Sequence, residues 1–217
     1  MTSRHATSQH RTPLSVARIA AAAIAMADQD GLEALSMRRL ADRLTVEAMS
    51  LYHHLPSKAA LFEAMADQLV RGLPESPDLP WRESLWAAAR SWRDLARQHP
   101  GAFPLLATRA SAAPALLERV AIIVTQLRAG GFTPAASARA LSSFFTSLNG
   151  YLLAAGVPAV SRDVPEPAAD EATLAEVSSA LGEIPMDAWV LTGDAAFEFH
   201  VTMLLDGLQA ALERGAG

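Results

Sequence analysis

A short polar segment with two adjacent histidines, residues 47–54, carries side chains that could recognise another molecule. On a helical wheel Ala48, Leu51 and Leu55 fall on one side and must face a core. The other side presents a thioether, a hydroxyl, a phenol and an imidazole, with a second imidazole at the margin: Met49, Ser50, Tyr52, His53 and His54. An isolated helix is marginal in water even at ~12–15 residues, so neighbouring elements must hold this shorter one. A helix supported in this way predicts a recognition element.

Positive charges stand on both sides of this segment. Ser36 is a good N-cap, and the helix that it starts has Met37, Arg38 and Arg39 in its first turn. Lys58 lies at the start of the next long apolar segment. Helix N-termini expose backbone amides and the positive end of the helix dipole, and both favour a phosphate. A reading helix flanked by such cations fits a helix-turn-helix, in which one helix enters a major groove ~12 Å wide.

The elements that must position these residues are helices. No run of alternating Val, Ile or Thr occurs, whereas Ala- and Leu-rich segments repeat with a 3.6-residue period between Gly, Pro, Ser or Thr. The fold class is therefore predicted to be all-α. Helices are predicted at residues 15–29, 36–44, 47–54, 57–72, 81–98, 103–109, 113–129, 134–156, 172–182 and 190–213, and a proline-containing loop at 157–171.

A proline-rich stretch divides the chain. Residues 73–80, which contain Pro74, Pro77 and Pro80, predict a linker. Before it we expect a disordered tail at 1–13 and a three-helix helix-turn-helix domain at 14–72, with the motif at about 36–55. After it we expect a larger helical domain at 81–217.

Composition excludes several classes of protein. The chain has 217 residues, of which 51% are apolar and only 25 are Gly or Pro, so it is neither disordered nor collagen-like. The absence of Cys excludes disulfides and a thiol nucleophile. The polar N-terminus lacks the apolar stretch of a secretory signal, which predicts a cytoplasmic protein. Residues 140–161 carry no charge, but their polar side chains predict a buried helix rather than a membrane span.

Charge is distributed unevenly. Residues 1–71 carry eight Arg or Lys and seven Asp or Glu, a balance of +1. Residues 72–217 carry ten against sixteen, a balance of −6, so that the total is −5. We expect the acidic surplus to form a solvated surface that keeps the second domain away from nucleic acid.

The order of these residues matches a known family. Residues 14–70, above all the runs at 34–44 and 50–62, resemble the DNA-binding domain of TetR-type bacterial transcriptional regulators. The resemblance implies phosphate contacts for one set of side chains, Ser36, Arg38, Tyr52, His54 and Lys58, and base contacts for another, Ala48, Met49, Ser50 and His53. Thr45 stands where the family usually has a glycine, which predicts a strained or differently shaped turn.

Residues 74–215 resemble, more weakly, the tetracycline-repressor type of ligand-binding and dimerisation domain. Leu105 and Ala88 replace the magnesium-ligating His and the drug-binding Asn of that type, although Thr108 is kept, so no metal or cofactor is predicted. An apolar effector is expected instead. Its candidate walls, which could equally be ordinary core, are Trp86, Trp92, Phe103, Leu105, Thr108, Phe144, Phe145, Leu148 and Trp189.

Two later helices are apolar on more than one side. Their main stripes contain Leu141, Phe145, Leu148 and Leu152 on one helix and Val201, Leu204, Leu208 and Leu212 on the other. Each bears a second apolar edge, formed by Phe144 and Tyr151 or by Phe199 and Met203. A helix that is apolar on two sides must be covered twice, which predicts a homodimer joined by a four-helix interface.

The resulting hypothesis is a homodimeric repressor that binds a pseudo-palindromic double-stranded operator and is released by a small apolar effector. A regulator controlled by a protein partner is the alternative. An enzyme is the rival from another class, but no HExxH, GxSxG or P-loop motif occurs and no catalytic residue is predicted. His53 and His54 point ~100° apart and are not expected to chelate one metal. His99 and His200 are expected to be capped or core histidines.

Overall fold

The computed structural model of the chain describes residues 13–74, 78–109, 111–156, 182 and 193–216. Nine helices are formed in these ranges: α1 Val16–Asp30, α2 Met37–Leu44, α3 Ala48–His54, α4 Lys58–Arg71, α5 Trp81–Gln98, α6 Pro104–Thr108, α7 Pro114–Ala129, α8 Pro134–Gly156 and α9 Asp194–Ala211. A single π-type turn, Leu212–Ala216, follows α9. The described part contains no strand, as the sequence predicted.

Serine caps begin three of the first four helices. The hydroxyls of Ser15, Ser36 and Ser57 each accept a hydrogen bond from the amide three residues later, at 3.0–3.2 Å. This contact satisfies one of the amides that a helix N-terminus leaves unpaired. Gly31 ends α1 at φ 81°, a conformation that glycine adopts without strain. The predicted bounds of these helices are confirmed to within one or two residues.

The core runs through both halves of the chain. In the first half α1, α2, α3 and α4 bury Ile19, Leu40, Leu51 and Leu61, among others, against each other. In the second half α5 packs between α7, α8 and α9, and buries Leu85 and Trp92. α4 also packs along α7, which joins the two halves. The predicted helix at 172–182, the loop at 157–171, most of the tail at 1–13 and Trp189 lie outside the described residues.

Membrane insertion finds no support in the described ranges. None of their helices combines the length with the apolar character that a bilayer span requires. α8 is the longest helix, with 23 residues, and buries one side against α5, α6, α7 and α9. This agrees with the predicted buried helix.

Candidate nucleic-acid interface and regulatory domain

The turn between α2 and α3 is closed by a threonine in a left-handed conformation. Thr45 has φ 55° and ψ 49°, and its amide donates to the carbonyl of Asp42 at 3.1 Å. The amide of Val46 donates to the carbonyl of Ala41, also at 3.1 Å. Among the described residues other than glycine, Thr45 alone has a positive φ. The turn therefore keeps the shape that a glycine would give, and the predicted strain lies in Thr45.

Helix α3 presents the face that the helical wheel predicts. Leu51 and Leu55 are buried, and Ala48 is half-buried against the same core. Met49 is 66% exposed and Tyr52 is 41% exposed. His53 and His54 are also exposed, whereas Ser50 is half-buried. Ser50 lines an open groove together with Leu14 and Glu47. The reading face is thus available to a partner across most of its width.

The cations beside α3 differ in whether other protein groups already bind them. Arg38 in the first turn of α2 and Lys58 in the first turn of α4 are both exposed. The Lys58 ammonium lies 5.3 Å from the centre of the Phe62 ring. Arg39 instead pairs with Asp30 at 2.7 Å and donates to the carbonyl of Ala34 at 2.8 Å. Arg38 and Lys58 are therefore the better candidates for phosphate contacts.

Met37 corrects one expectation. We predicted a role for it in DNA binding, but its side chain is buried at the start of α2. It belongs to the hydrophobic core, where an apolar side chain is removed from water. Only its backbone amide remains at the helix N-terminus for a phosphate.

The candidate effector residues fall into separate groups. Trp92 packs edge-on against Phe103 and Phe145, at 6.0 and 5.6 Å between ring centres, and its indole donates to the Asn149 side chain at 2.7 Å. Phe144 and Leu148 are fully buried beside this cluster. These contacts join α5 and α8 with Phe103, the residue that precedes α6. Their part in an effector site stays a prediction.

Three other candidates lie elsewhere. Trp86 faces α9, where its ring is 5.9 Å from that of Phe197, and it lines a cavity of about 220 Å³. Leu105 lines a cavity of about 160 Å³ beneath α4. Thr108 is exposed and donates to the carbonyl of Pro104 at 2.7 Å. Because Leu105 has no ligating atom, the residues here do not fit the magnesium–drug site of the tetracycline-repressor type.

The predicted dimer stripes need correction. Leu148, Leu152 and Val201 are buried inside their own chain and cannot meet a partner. Four of the others, Leu141, Phe145, Leu204 and Leu208, are half-buried, as is Leu212 in the π-type turn. Three of the eight predicted interface residues thus face the core, because a 3.6-residue period does not say which apolar edge meets it. The part of the other five in a dimer stays a prediction.

The outer apolar edge lies on α9. Phe199 is 72% exposed and Met203 is 53% exposed, and they stand one turn apart. On α8, by contrast, the edge formed by Phe144 and Tyr151 is buried. The exposed positions of α8 include Ser142, Thr146 and Gly150. Large exposed side chains on α9 and small ones on α8 are compatible with close packing against the helices of a second copy.

Sequence reasoning missed a polar clamp between α4 and α7. Glu63 accepts hydrogen bonds from the Ser111 hydroxyl at 2.8 Å and the Ala112 amide at 3.0 Å. Asp67 accepts from the Ala115 amide at 3.0 Å, so carboxylates of α4 satisfy amides at the N-terminus of α7. In return, Arg119 of α7 donates to the carbonyls of Leu73 and Pro74 beyond the end of α4. Local capping patterns in the sequence do not reveal these contacts, because the carboxylates that cap α7 lie about fifty positions before it.

Burial and hydrogen bonds set the ionisation of two groups. Burial alone would raise the pKa of Asp67, but hydrogen bonds from Arg71 and Ala115, together with the Arg71 charge, lower it below its usual value. Burial lowers the pKa of His200, which stacks on Tyr151 at 4.5 Å between ring centres. His99 pairs through Nδ1 with Asp28 at 2.7 Å, which confirms the expectation of a capped histidine.

The first half of the chain presents an outward-facing helix that is held by a tight turn and flanked by exposed cations, and the helical second half carries an exposed apolar edge. These features define an all-helical regulatory protein of the helix-turn-helix class. The comparisons identify the family. Residues 19–65 match the bacterial regulatory proteins of the tetR family, and residues 73–212 match the tetracyclin repressor-like C-terminal domain. The chain belongs to the TetR family.

Similar proteins cover different shares of the chain. The HTH-type transcriptional repressor DrrR1 of Streptomyces coeruleorubidus is 34% identical over 145 residues, which are 65% of this chain and 52% of that protein. The chain thus spans about half the length of the first curated relatives that it matches. A crystal structure of a possible TetR family transcriptional regulator from Streptomyces coelicolor A3(2) superimposes with a TM-score of 0.71 at 31% identity, over 91% of this chain and 100% of that one. BioQ bound to its double-stranded DNA operator gives a TM-score of 0.65 at 26% identity, over 91% and 99%.

Proposed function

We propose that the protein is a cytoplasmic, homodimeric transcriptional repressor whose α3 reads a pseudo-palindromic operator. The observation that carries this proposal is the exposed polar and aromatic face of α3, with Arg38 and Lys58 on either side. Family membership and the operator-bound BioQ structure support it. An enzyme is no longer a competing reading, because the family consists of regulatory proteins.

Recognition would divide between two sets of groups. Ser36, Arg38, Tyr52, His54 and Lys58 would contact phosphates, and the α2 amides at Met37 and Arg38 would add to them. Ser50 and His53 would hydrogen-bond to base edges, while Ala48 and Met49 would contact thymine methyl groups. In a dimer the two α3 helices would lie ~34–36 Å apart, one turn of DNA.

Regulation would pass from the second domain to α4. An apolar effector near Trp92 and Phe145 would move α5, α6 or α8, and the Glu63 and Asp67 clamp would carry that shift from α7 into the DNA-binding domain. A coupling of ~1–3 kcal/mol is typical for such a linkage. Such a coupling changes the affinity for the operator by roughly 5–150-fold.

The test is selection of bound fragments from randomised duplex DNA, followed by footprinting. We expect a two-fold symmetric site with half-sites about one helical turn apart. His53→Ala should change which bases are preferred within each half-site, because it removes a hydrogen-bonding group from the reading face. Selection that yields no motif, or an unaltered motif with the His53 variant, would contradict the proposed reading face.

A further inference from the structure

A second cleft lies where the DNA-binding domain meets the rest of the chain. Its volume is about 490 Å³, within the range of small-molecule sites, and domain junctions are favoured places for them. α1 contributes Ala21, Ile24 and Ala25, and α5 contributes Leu95. Leu69, in the last turn of α4, and Leu73, two residues beyond its end, line the cleft as well. The floor is therefore apolar, and it touches three helices from two domains.

Polar side chains line the cleft as well, among them Gln68, Ser91, Asp94 and Gln98. Gln68 Oε1 is buried and has no hydrogen-bond partner among the described residues, and Gln68 lines this cleft. Asp94 lies at the rim and is exposed. One nearby guanidinium is engaged at the cleft, where Arg119 donates to the carbonyls of Leu73 and Pro74, both at 2.8 Å. Arg90 instead lies over Trp86 at 4.9 Å, and Arg93 pairs with Asp194 at 2.6 Å.

The remaining carboxylate is already engaged. Asp28 accepts from the amides of Gly101 and Ala102, at 3.2 and 3.0 Å, and pairs with His99. It therefore belongs to the framework of the cleft. A buried acceptor without a donor, together with an exposed carboxylate that has no ion pair among the described residues, favours a positively charged donor.

We propose that this cleft binds an amphipathic organic cation, with an ammonium or amidinium group near Asp94 and Gln68 and an apolar body against α1 and Leu95. The site is distinct from the effector region around Trp92, which lies between α5, α6 and α8. An occupant would contact α1, α4 and α5 together and would stabilise their present arrangement by mass action.

Dansylcadaverine, a primary amine with an aromatic body, is a suitable probe. We expect saturable binding to the full chain at one probe per subunit, followed by dansyl fluorescence, and a concentration-dependent rise in Tm. The N-acetylated probe has the same shape but no charge. It should bind about tenfold more weakly, the change that corresponds to the loss of one charged hydrogen bond.

Two variants with matched controls locate the site. Asp94→Asn removes the rim charge, and Ala21→Phe fills the cleft from an exposed position on α1. Each should weaken probe binding by about tenfold. Glu83→Gln on the same helix as Asp94, and Ala17→Phe one turn before Ala21, change exposed positions outside the cleft lining and should leave binding unchanged. Far-UV circular dichroism verifies that all four variants fold.

The proposal is overturned if no saturable binding occurs, if the acetylated probe binds as well as the amine, or if binding is insensitive to both Asp94→Asn and Ala21→Phe. These titrations contain no DNA. A negative result in probe binding would therefore leave the operator proposal intact. A negative result in operator selection would leave the cleft proposal intact.

Discussion

At the scale of single residues, Lys58 offers a direct test of the proposed DNA interface. Lys58 is exposed at the N-terminus of α4, and its ammonium lies over the Phe62 ring. Each lysine that neutralises a phosphate releases a condensed counterion from duplex DNA. The salt dependence of binding therefore reports its role directly.

Lys58→Ala should weaken binding to all DNA sequences and reduce the slope of log K against log salt by about one unit. Fluorescence anisotropy over a series of salt concentrations measures this slope. Arg128→Ala, at an exposed position on α7, is the control and should leave it unchanged. An unchanged slope for the Lys58 variant would remove this residue from the phosphate contacts.

Thr45 sets the angle between α2 and α3 at an energetic cost. A β-branched residue with φ 55° is strained by roughly 1–2 kcal/mol, whereas glycine adopts this region freely. Thr45→Gly should therefore raise the free energy of unfolding by about 0.5–1 kcal/mol, since part of the gain is offset by the greater freedom of glycine in the unfolded chain. Urea denaturation measures the change.

Gly31→Ala is the opposite control, because it forces a side chain into φ 81° and should destabilise the protein. If Thr45→Gly lowers the free energy of unfolding instead of raising it, contacts of the Thr45 side chain outweigh its backbone strain.

At the scale of elements, α4 connects the proposed DNA surface with the second domain. Its first turn carries Lys58 toward the proposed DNA surface, and its later turns hold α7 through Glu63 and Asp67. Capping amides with carboxylates from another helix ties the two elements together, because each amide would otherwise lack a partner. A displacement of the α7 N-terminus should therefore displace α4.

Asp67→Asn should destabilise the protein by about 1–2 kcal/mol at neutral pH, since it weakens charged hydrogen bonds to Ala115 and Arg71. The folded-state pKa of Asp67 lies below its unfolded value, so its contribution to stability is present above the unfolded pKa and is lost as pH falls through the folded pKa. Thermal unfolding at several pH values should show wild type and variant converging in acid.

Asp42→Asn, an exposed change on α2, is the matched control and should give a parallel curve. A constant gap between wild type and Asp67→Asn down to pH 2.5 would mean that the carboxylate charge does not support the clamp.

For the whole molecule, we propose that assembly into a dimer uses the outer edge of α9. Phe199 and Met203 expose large apolar areas one turn apart, a pattern that marks an interaction surface. Covering them with the same edge of a second copy gives an isologous contact. The half-buried Leu204 and Leu208 would extend it.

Phe199→Asp combined with Met203→Asp should yield a folded monomer, because charge cannot be buried in the interface without a partner. Sedimentation velocity measures the state of assembly. Val16→Asp replaces an exposed apolar residue at the start of α1 and should leave assembly unchanged. A double variant that still sediments as a dimer would place the interface elsewhere.

Local features of the chain could be predicted from residue order alone. Serine caps, Gly31 and helical periodicity act over three or four positions, so the bounds of α1–α8 and the outward face of α3 follow from them. The recognition motif could be recognised for the same reason, since its residues lie within about twenty-five positions of each other.

Choices between two equally apolar faces required the packed structure. Periodicity could not tell that Leu148 and Val201 face inward while Phe199 and Met203 face outward, nor that Met37 is buried. The α4–α7 clamp and the cleft below Gln68 likewise join residues far apart in the chain. Such contacts depend on how helices dock, and docking is governed by the shape of whole surfaces rather than by neighbours in sequence.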